Sequence, residues 1–216
     1  MIKLLIFDMD GTLFDTDDVI VHTWLELFKE FKPKDFHMDL ETIQGFSGPP
    51  LSESLSSVFP ERNLDFMTNE YGKRTRKYYD TDIKEFSGAR KVIEQFRLDG
   101  YKLAILTSKN REMAIYSLKI LNYEKYFDYV LTSSDIDKLK PDPTGINNIM
   151  NHFNVSKDET ITIGDTDFDY LAAKNADVKV IMVTMKKRIY QSKLIPFAFV
   201  NSYNELYKVV RNYDNN

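Results

Sequence analysis

Side chains suited to phosphate and metal chemistry stand at or shortly after the ends of several short apolar runs of the chain. They comprise carboxylates, two neighbouring hydroxyls and one lysine: Asp8, Asp10, Thr107, Ser108, Lys140, Asp165 and Asp169. Magnesium is a hard cation that prefers carboxylate, carbonyl and water oxygens. Brought together by a fold, such a set suits a phosphoryl group held by Mg²⁺.

The apolar runs themselves are typical of buried parallel strands, because they are short, continuous and bounded by polar residues. They cover residues 2–7, 102–106, 129–131, 160–163 and 179–183. Helical patterns lie between them. One apolar stripe spans residues 89–96, in a helix that Gly100 is expected to end, and Pro141 is expected to open another helix. This alternation predicts an α/β fold with a parallel sheet and helices on both faces.

In an open parallel sheet, ligands bind outside the carboxyl ends of the strands. The candidate side chains follow those ends, so we expect them to converge on one edge of the sheet. Residues 15–82 interrupt the alternation, because they show helical patterns and no convincing strand. Ile20, Trp24, Leu27 and Phe31 form one stripe that Pro33 ends, and residues 64–79 predict a longer helix.

We therefore predict an α/β catalytic core of residues 1–14 and 83–216 and an all-α cap of residues 15–82, inserted after the first strand. Residues 48–50, Gly-Pro-Pro, mark a sharp loop within this insert.

The motifs resemble those of the haloacid dehalogenase-like superfamily of phosphatases, over nearly the whole chain. The residues that carry the resemblance are Asp8-Met9-Asp10-Gly11-Thr12-Leu13, Thr107, Lys140-Pro141-Asp142-Pro143, Gly164-Asp165-Thr166 and Asp169, in that family's order. The insert position is similar to the helical cap of the subgroup containing phosphoglycolate phosphatase and beta-phosphoglucomutase. The resemblance implies a Rossmann-like core, Mg²⁺ as cofactor and a small phosphorylated metabolite as substrate.

Asp8 is the expected nucleophile, because a carboxylate needs no deprotonation near neutral pH and forms an acyl phosphate that water can cleave. The resemblance implies that Asp10 acts as general acid and base and that its backbone carbonyl binds the metal. Gly11 would let the chain turn sharply beside the phosphate.

The other site residues are expected to bind the metal or the phosphate. Asp165 would complete the Mg²⁺ ligands with Asp8 and Asp10, and Asp169 would lie in a second shell behind them. Thr107, the backbone N–H of Ser108, and Lys140 would bind phosphate oxygens and stabilise charge.

Specificity is expected to come from the cap, which would close over the site. The candidates are the loop of residues 45–51 and the basic residues Lys73, Arg74 and Arg76, although a solvated helix face is the simpler interpretation of these three. Two stretches depart from the family pattern: Ala176-Asp177 replaces Ala-Gly at a turn, and the loop after Val183 lacks the usual Trp-Gly. In that loop, residues 186–188 are interpreted as a solvated helix start.

Composition limits the other classes of function. The chain has 43% hydrophobic residues, 29% charged residues, a net charge of −4 and no cysteine, which excludes disulfides, thiolate catalysis and thiolate zinc sites. The chain shows no basic face of the kind that binds nucleic acid, and no run approaches the roughly 20 apolar residues of a membrane span. The N-terminal apolar run does not predict a signal peptide, because it is interrupted at Asp8. We expect a cytoplasmic monomer or homodimer.

Three alternatives to a phosphatase stay open. A phosphomutase would return the phosphate to a sugar, and an inorganic pyrophosphatase is suggested faintly by the sequence of residues 48–51. A receiver-like signalling module also holds a phospho-aspartate with an acidic cluster, a Thr and a Lys, although such domains are shorter and lack the insert.

Overall fold

A computed structural model describes residues 1–188, 190 and 193–214 of the chain. The strands are β1 (Leu4–Phe7), β2 (Phe14–Asp15), β3 (Lys84–Glu85), β4 (Lys102–Leu106), β5 (Tyr129–Leu131), β6 (Thr160–Gly164), β7 (Lys179–Val183) and β8 (Ala198–Val200). The α-helices are α1 (Asp17–Phe31), α2 (Leu40–Gln44), α3 (Leu51–Val58), α4 (Leu64–Asp82), α5 (Ala89–Leu98), α6 (Arg111–Ile120), α7 (Thr144–Phe153), α8 (Asp167–Asn175) and α9 (Tyr203–Asp214).

Six strands form one parallel sheet in the order β5-β4-β1-β6-β7-β8. Leu5 of β1 pairs with Leu103 of β4 on one side and with Ile161 of β6 on the other. The five predicted strands are confirmed, and β8 adds a sixth at the edge that the sequence did not indicate. The central position of β1 places its carboxyl end between the ends of β4 and β6.

The two faces of the sheet are buried in separate hydrophobic clusters. Leu5 and Phe7 of β1 face a cluster that includes residues of α5, α6 and α9, whereas Leu4 and Ile6 face a cluster that includes residues of α7 and α8. Alternate side chains of a strand point to opposite faces, so a strand covered on both sides must be apolar throughout. The predicted arrangement of helices on both faces is confirmed.

Helices α1 to α4 form the helical cap, which has a hydrophobic cluster of its own. Trp24 is fully buried there and packs against Phe46 and Phe59, with ring centroids 4.4 and 6.3 Å away. The predicted stripe on α1 is confirmed, and that helix ends at Phe31, two residues before Pro33. Among the described residues, no helix is long and apolar enough to cross a membrane.

A two-stranded antiparallel ribbon, β2 with β3, joins the cap to the sheet domain. The sequence indicated no convincing strand within residues 15–82, and this was wrong for Asp15, the last residue of β2. Strands of two residues carry no alternating pattern, so only the pairing of Phe14 with Glu85 and of Asp15 with Lys84 reveals them. The bounds of the two domains stay a prediction.

The expected helix start at Pro141 was also wrong. Helix α7 begins at Thr144, and the Asp142 carboxylate accepts hydrogen bonds from the backbone N–H and the hydroxyl of Thr144. Asp142 therefore shapes the turn that precedes the helix, and residues 140–143 belong to that turn. By contrast, Asp177 occupies the left-handed region with φ of 57°, as expected where the family has glycine.

The cap cluster predicts a contrast between two leucines of α1. Leu27 is fully buried and Leu25 is 44% exposed. We expect Leu27→Ala to lower the free energy of unfolding by about 2–5 kcal/mol, because it leaves a cavity, and Leu25→Ala to change it by less than about 1 kcal/mol. Urea denaturation followed by the fluorescence of Trp24, the single tryptophan, measures both. Equal losses in the two variants would contradict the burial of the stripe.

Candidate active site

Three buried aspartates meet where β1 and β6 end. Asp8 follows β1, its backbone N–H donates to the carbonyl of Ile163 at 2.8 Å, and Asp165 follows β6. One carboxylate oxygen from each of Asp8, Asp165 and Asp169 lies within 4.8 Å of the others. Convergence of the ends of β1 and β6 with the first turn of α8 thus brings these three side chains together at one edge of the sheet.

Lys140 joins two of these carboxylates. Its Nζ donates to Asp8 Oδ1 and to Asp169 Oδ1, both at 2.6 Å, and lies 3.3 Å from the carbonyl oxygen of Leu106. The Lys140 side chain is only 7% exposed. A buried ammonium surrounded by two carboxylates and a carbonyl is held in one position and offsets part of their negative charge.

Asp169 is fully engaged by the protein. Its Oδ1 accepts from Lys140, and its Oδ2 accepts from the backbone N–H and hydroxyl of Thr166 at 3.0 and 2.7 Å, closing a capping box at the start of α8. A Cβ on Gly164 would lie 2.3 Å from the Cβ of Asp169, so this close packing requires glycine. Asp169 therefore anchors Lys140 to helix α8.

Negative charge dominates the end of β1. Burial raises the pKa of Asp8 well above its usual value; Lys140 opposes this rise, while Asp169 and Asp165 add to it. Burial likewise raises the pKa of Asp165 to about 6, although the guanidinium of Arg188 pulls it down. A divalent cation beside these carboxylates would relieve this cost of burying charge.

The donor set fits Mg²⁺. Asp8, Asp165 and Asp169 offer only oxygen ligands, and a hard cation prefers carboxylate oxygens of this kind. The carboxylate of Asp10 is not part of this three-aspartate group; the family resemblance implies that its backbone carbonyl, not its side chain, binds the metal. Asp169 belongs to the group, and its two oxygens accept hydrogen bonds from Lys140 and from Thr166.

Asp10 is held by a residue that the sequence analysis missed. Lys109 Nζ lies 2.7 Å from Asp10 Oδ1 and donates to the hydroxyl of Tyr79, which belongs to helix α4 of the cap. Burial lowers the pKa of Lys109, but Asp10 and Tyr79 raise it by more, so the ammonium stays charged. The feature of the sequence that could have identified Lys109 is its position, two residues after Thr107 in the loop that follows β4.

The loop that carries both aspartates turns at Gly11, which has a φ of 78°. A Cβ at Gly11 would lie 2.1 Å from Asp165 Oδ2 and 2.6 Å from Arg188 Nη2. Only glycine accepts both this backbone conformation and this close approach. The turn expected from the sequence is present.

The interpretation of residues 186–188 as a solvated helix start was wrong for Arg188. The segment is not helical, and the Arg188 side chain is 6% exposed. Its Nε donates to Asp165 Oδ2 at 2.7 Å, and its two terminal nitrogens donate to Asp17. The loop after Val183, which departs from the family pattern, therefore contributes Arg188 to the site.

A cavity of about 270 Å³ lies between these residues and the cap. Its core wall includes Asp8, Asp10, Thr107, Ser108 and Lys140, which the sequence analysis named as candidate site residues. Its cap wall includes residues 46–51, so this part of the predicted specificity loop lines the cavity, and residues from α4. The hydroxyls of Ser47 and Ser108 are buried on opposite walls, with no hydrogen-bond partner in the described part of the chain.

The three basic residues proposed for specificity, Lys73, Arg74 and Arg76 of α4, do not line this cavity. They form ion pairs elsewhere: Lys73 with Glu70, Arg74 with Glu30 and Glu70, and Arg76 with Glu112. The simpler interpretation as a solvated helix face agrees with Lys73 and Arg76, whose side chains are exposed, but not with Arg74, whose side chain is only 13% exposed.

The bridge made by Lys140 predicts a pH-dependent loss of stability when it is removed. We expect Lys140→Met to lower the free energy of unfolding by about 3–5 kcal/mol at neutral pH in EDTA, because two buried carboxylates lose their cation. Since Lys140 lowers the pKa of Asp8, its loss raises that pKa further, and the folded variant gains stability by taking up a proton. The deficit should shrink as pH falls toward 5.

Urea denaturation at several pH values measures this deficit, with the exposed Lys138→Met as the matched control. A deficit that is small, or that stays constant with pH, would contradict the bridging role.

Comparisons with known proteins agree with this geometry. The sequence profile of the family described as haloacid dehalogenase-like hydrolase matches residues 5–183. Pyrophosphatase PpaX of Halalkalibacterium halodurans is 33% identical over 184 residues, which cover 84% of this chain and 83% of the relative.

Solved structures show the same fold. A haloacid dehalogenase-like family hydrolase of Streptococcus pneumoniae superposes with a TM-score of 0.84 at 25% identity, covering 97% of this chain and 98% of the other. A predicted phosphoglycolate phosphatase of Haemophilus somnus superposes with a TM-score of 0.83 at 17% identity, covering 97% and 98%. The resemblance, the parallel-sheet core and the helical cap are thereby confirmed, and the chain belongs to the haloacid dehalogenase-like hydrolase family.

Proposed function

We propose that this hydrolase is a Mg²⁺-dependent phosphatase that acts on a small phosphorylated metabolite through a phospho-aspartate on Asp8. The position of Asp8 carries the proposal: it lines the cavity at the end of β1, 2.6 Å from Lys140 and within 4.8 Å of two further carboxylates. A nucleophilic carboxylate beside a fixed cation and a set of metal ligands suits attack on a phosphate dianion.

In the first half of the reaction, an oxygen of Asp8 bonds to phosphorus while the bond from phosphorus to the leaving oxygen breaks. Lys140 holds the other oxygen of Asp8, and Thr107 with the backbone N–H of Ser108 binds phosphate oxygens. Asp10 donates a proton to the leaving oxygen, which departs as an alcohol. Lys109 keeps the Asp10 side chain at the cavity wall through its ion pair.

In the second half, Asp10 accepts a proton from a water molecule, whose oxygen attacks the phosphorus of the acyl phosphate. The bond between phosphorus and Asp8 breaks, which regenerates the carboxylate and releases inorganic phosphate. Both halves use the same two aspartates, with Asp10 alternating between acid and base.

Mg²⁺ bound by Asp8, Asp165 and the backbone carbonyl of Asp10 would supply the charge that offsets repulsion between the Asp8 carboxylate and the phosphate. Asp169 stands behind this set, as the family resemblance implies; its Oδ1 accepts a hydrogen bond from Lys140 and its Oδ2 accepts from Thr166 at the start of α8. Its proposed role is to position Lys140.

The cavity supports an ester of a small, uncharged alcohol or sugar as substrate. Among the described residues that line its cap wall, none is charged; the wall combines apolar and aromatic side chains with hydroxyls and backbone. Such a wall offers an uncharged leaving group contact area and hydroxyl partners, including that of Ser47. The expectation of a cytoplasmic monomer or homodimer that binds neither nucleic acid nor membrane belongs to the same proposal.

Inorganic pyrophosphate is the second candidate substrate. Two observations favour it. The relative from Halalkalibacterium halodurans is a pyrophosphatase, and Lys109 places a second ammonium at the site, beside Asp10. A second phosphate would gain from that charge, whereas an uncharged alcohol would not.

The nucleophile assignment predicts that Asp8→Asn lowers kcat by at least about a thousandfold, because an amide does not form an acyl phosphate. Phosphate release with the best substrate measures this. Asp18→Asn, at an exposed aspartate paired with Lys84, is the matched control and should keep wild-type activity. A folded Asp8→Asn variant with wild-type kcat would remove the assignment.

The uncharged cap wall predicts which substrate is preferred. We expect kcat/KM for the best ester of an uncharged alcohol or sugar to exceed that for pyrophosphate by about tenfold or more, with both activities lost in EDTA. The measurement is phosphate release from a panel containing both classes. Faster turnover of pyrophosphate, lowered selectively by Lys109→Gln, would decide for the second candidate.

A further inference from the structure

A buried guanidinium occupies one oxygen of the candidate metal ligand Asp165. Arg188 Nε donates to Asp165 Oδ2 at 2.7 Å, and the Asp165 side chain is 1% exposed. The other oxygen, Oδ1, accepts from the hydroxyl of Thr12 at 3.0 Å. Both oxygens of Asp165 therefore have protein partners, and one of those partners carries a full positive charge that deprotonation cannot remove.

Arg188 is fixed in this position from its other side. Its Nη1 and Nη2 donate to the two oxygens of Asp17, at 3.2 and 3.0 Å, in a two-pronged ion pair. The side chains of Asp17 and Arg188 are only 5% and 6% exposed. A paired, buried guanidinium with planar geometry loses little further freedom and holds its place.

The neighbouring cation of the same loop behaves differently. Lys186 Nζ pairs with Asp15 at 2.6 Å and lies 3.8 Å from Asp17, and its side chain is 30% exposed. No hydrogen bond or ion pair joins it to Asp165 in the described part of the chain. Lys186 thus carries the same charge as Arg188 and pairs with the same segment, residues 15–17, but does not pair with Asp165.

We propose that Arg188 is a positioning residue that competes with Mg²⁺ for Asp165 and so sets the affinity of the site for the metal. The inference rests on the metal site of the proposed function. A cation bound at either oxygen of Asp165 would face the charge of Arg188, whose Nε donates a hydrogen bond to Oδ2 of the same carboxylate. Asp17 is the anchor that retains the guanidinium when this bond is lost.

Removal of Arg188 therefore has two opposite consequences. The metal-free protein loses stability, because Asp17 and Asp165 become buried carboxylates without their cation. The affinity for Mg²⁺ rises, because the same carboxylates no longer have a competitor and attract the metal more strongly. An ion pair with only a structural role would lower stability without raising metal affinity.

The test is isothermal titration of the metal-stripped full chain with Mg²⁺ near neutral pH, comparing wild type, Arg188→Gln and the matched control Lys186→Gln. We expect Arg188→Gln to lower the Kd for Mg²⁺ by about tenfold or more, and Lys186→Gln to change it by less than about threefold. Equal tightening in both variants would show a general effect of charge and would overturn the inference.

A second readout covers the case in which Arg188→Gln folds poorly without metal. Mg²⁺ stabilises the folded state by mass action, so its addition should raise the melting temperature more in Arg188→Gln than in wild type. Arg188→Lys keeps the charge but not the two-pronged geometry, and we expect it to bind Mg²⁺ with an affinity between the two.

Unchanged or weaker Mg²⁺ binding in both Arg188 variants would overturn the competition while leaving the proposed function intact. Failure of both the wild-type chain and Arg188→Gln to bind Mg²⁺ would instead overturn the metal site of the proposed function, and the inference with it.

Discussion

Concentration of negative charge at one edge of the parallel sheet is the constraint on which the rest of the structure depends. Asp8, Asp165 and Asp169 are all buried there, and each ionised carboxylate taken out of water costs free energy unless a cation or hydrogen bonds compensate it. The protein supplies buried cations from three separate loops: Lys109, Lys140 and Arg188. Their placement decides how each aspartate is oriented and which oxygens stay available.

Each cation belongs to a different loop, and each connects two parts of the fold at the site. Lys140 ties the end of β1 to helix α8, Lys109 ties the β1 loop to Tyr79 of the cap, and Arg188 ties the end of β6 to the first residue of α1. Gly11 and Gly164 leave space for the side chains of the site, because a Cβ at either position would collide with them. The catalytic chemistry and the attachment of the cap therefore share the same ion pairs.

Much of this could be predicted from the sequence because it is local. Buried parallel strands are continuous apolar runs, and the side chains at their ends follow directly in sequence, which is why Asp8, Thr107 and Asp165 were identified. Strands β2 and β3 are two residues long and exist only through their pairing, so they carry no pattern of their own.

The missed residues depend on contacts between distant parts of the chain. Arg188 reaches Asp17 across 171 residues, and Lys109 reaches Asp10 across 99. A basic residue in a loop is ordinarily solvated, so Arg188 beside two lysines looked like a surface charge. Its role follows only when the fold places it against a buried carboxylate that has to be neutralised.

The central claim is that Asp8 carries the phosphoryl group, and trapping of that intermediate tests it most directly. The protein would be mixed with its best substrate and Mg²⁺, quenched in acid within the first turnover and reduced with borohydride, which converts an acyl phosphate of aspartate to homoserine. The account predicts homoserine at position 8, found by mass spectrometry of the peptide and absent without substrate. Turnover at the normal rate with residue 8 unmodified, or with the modification at another residue, would contradict it.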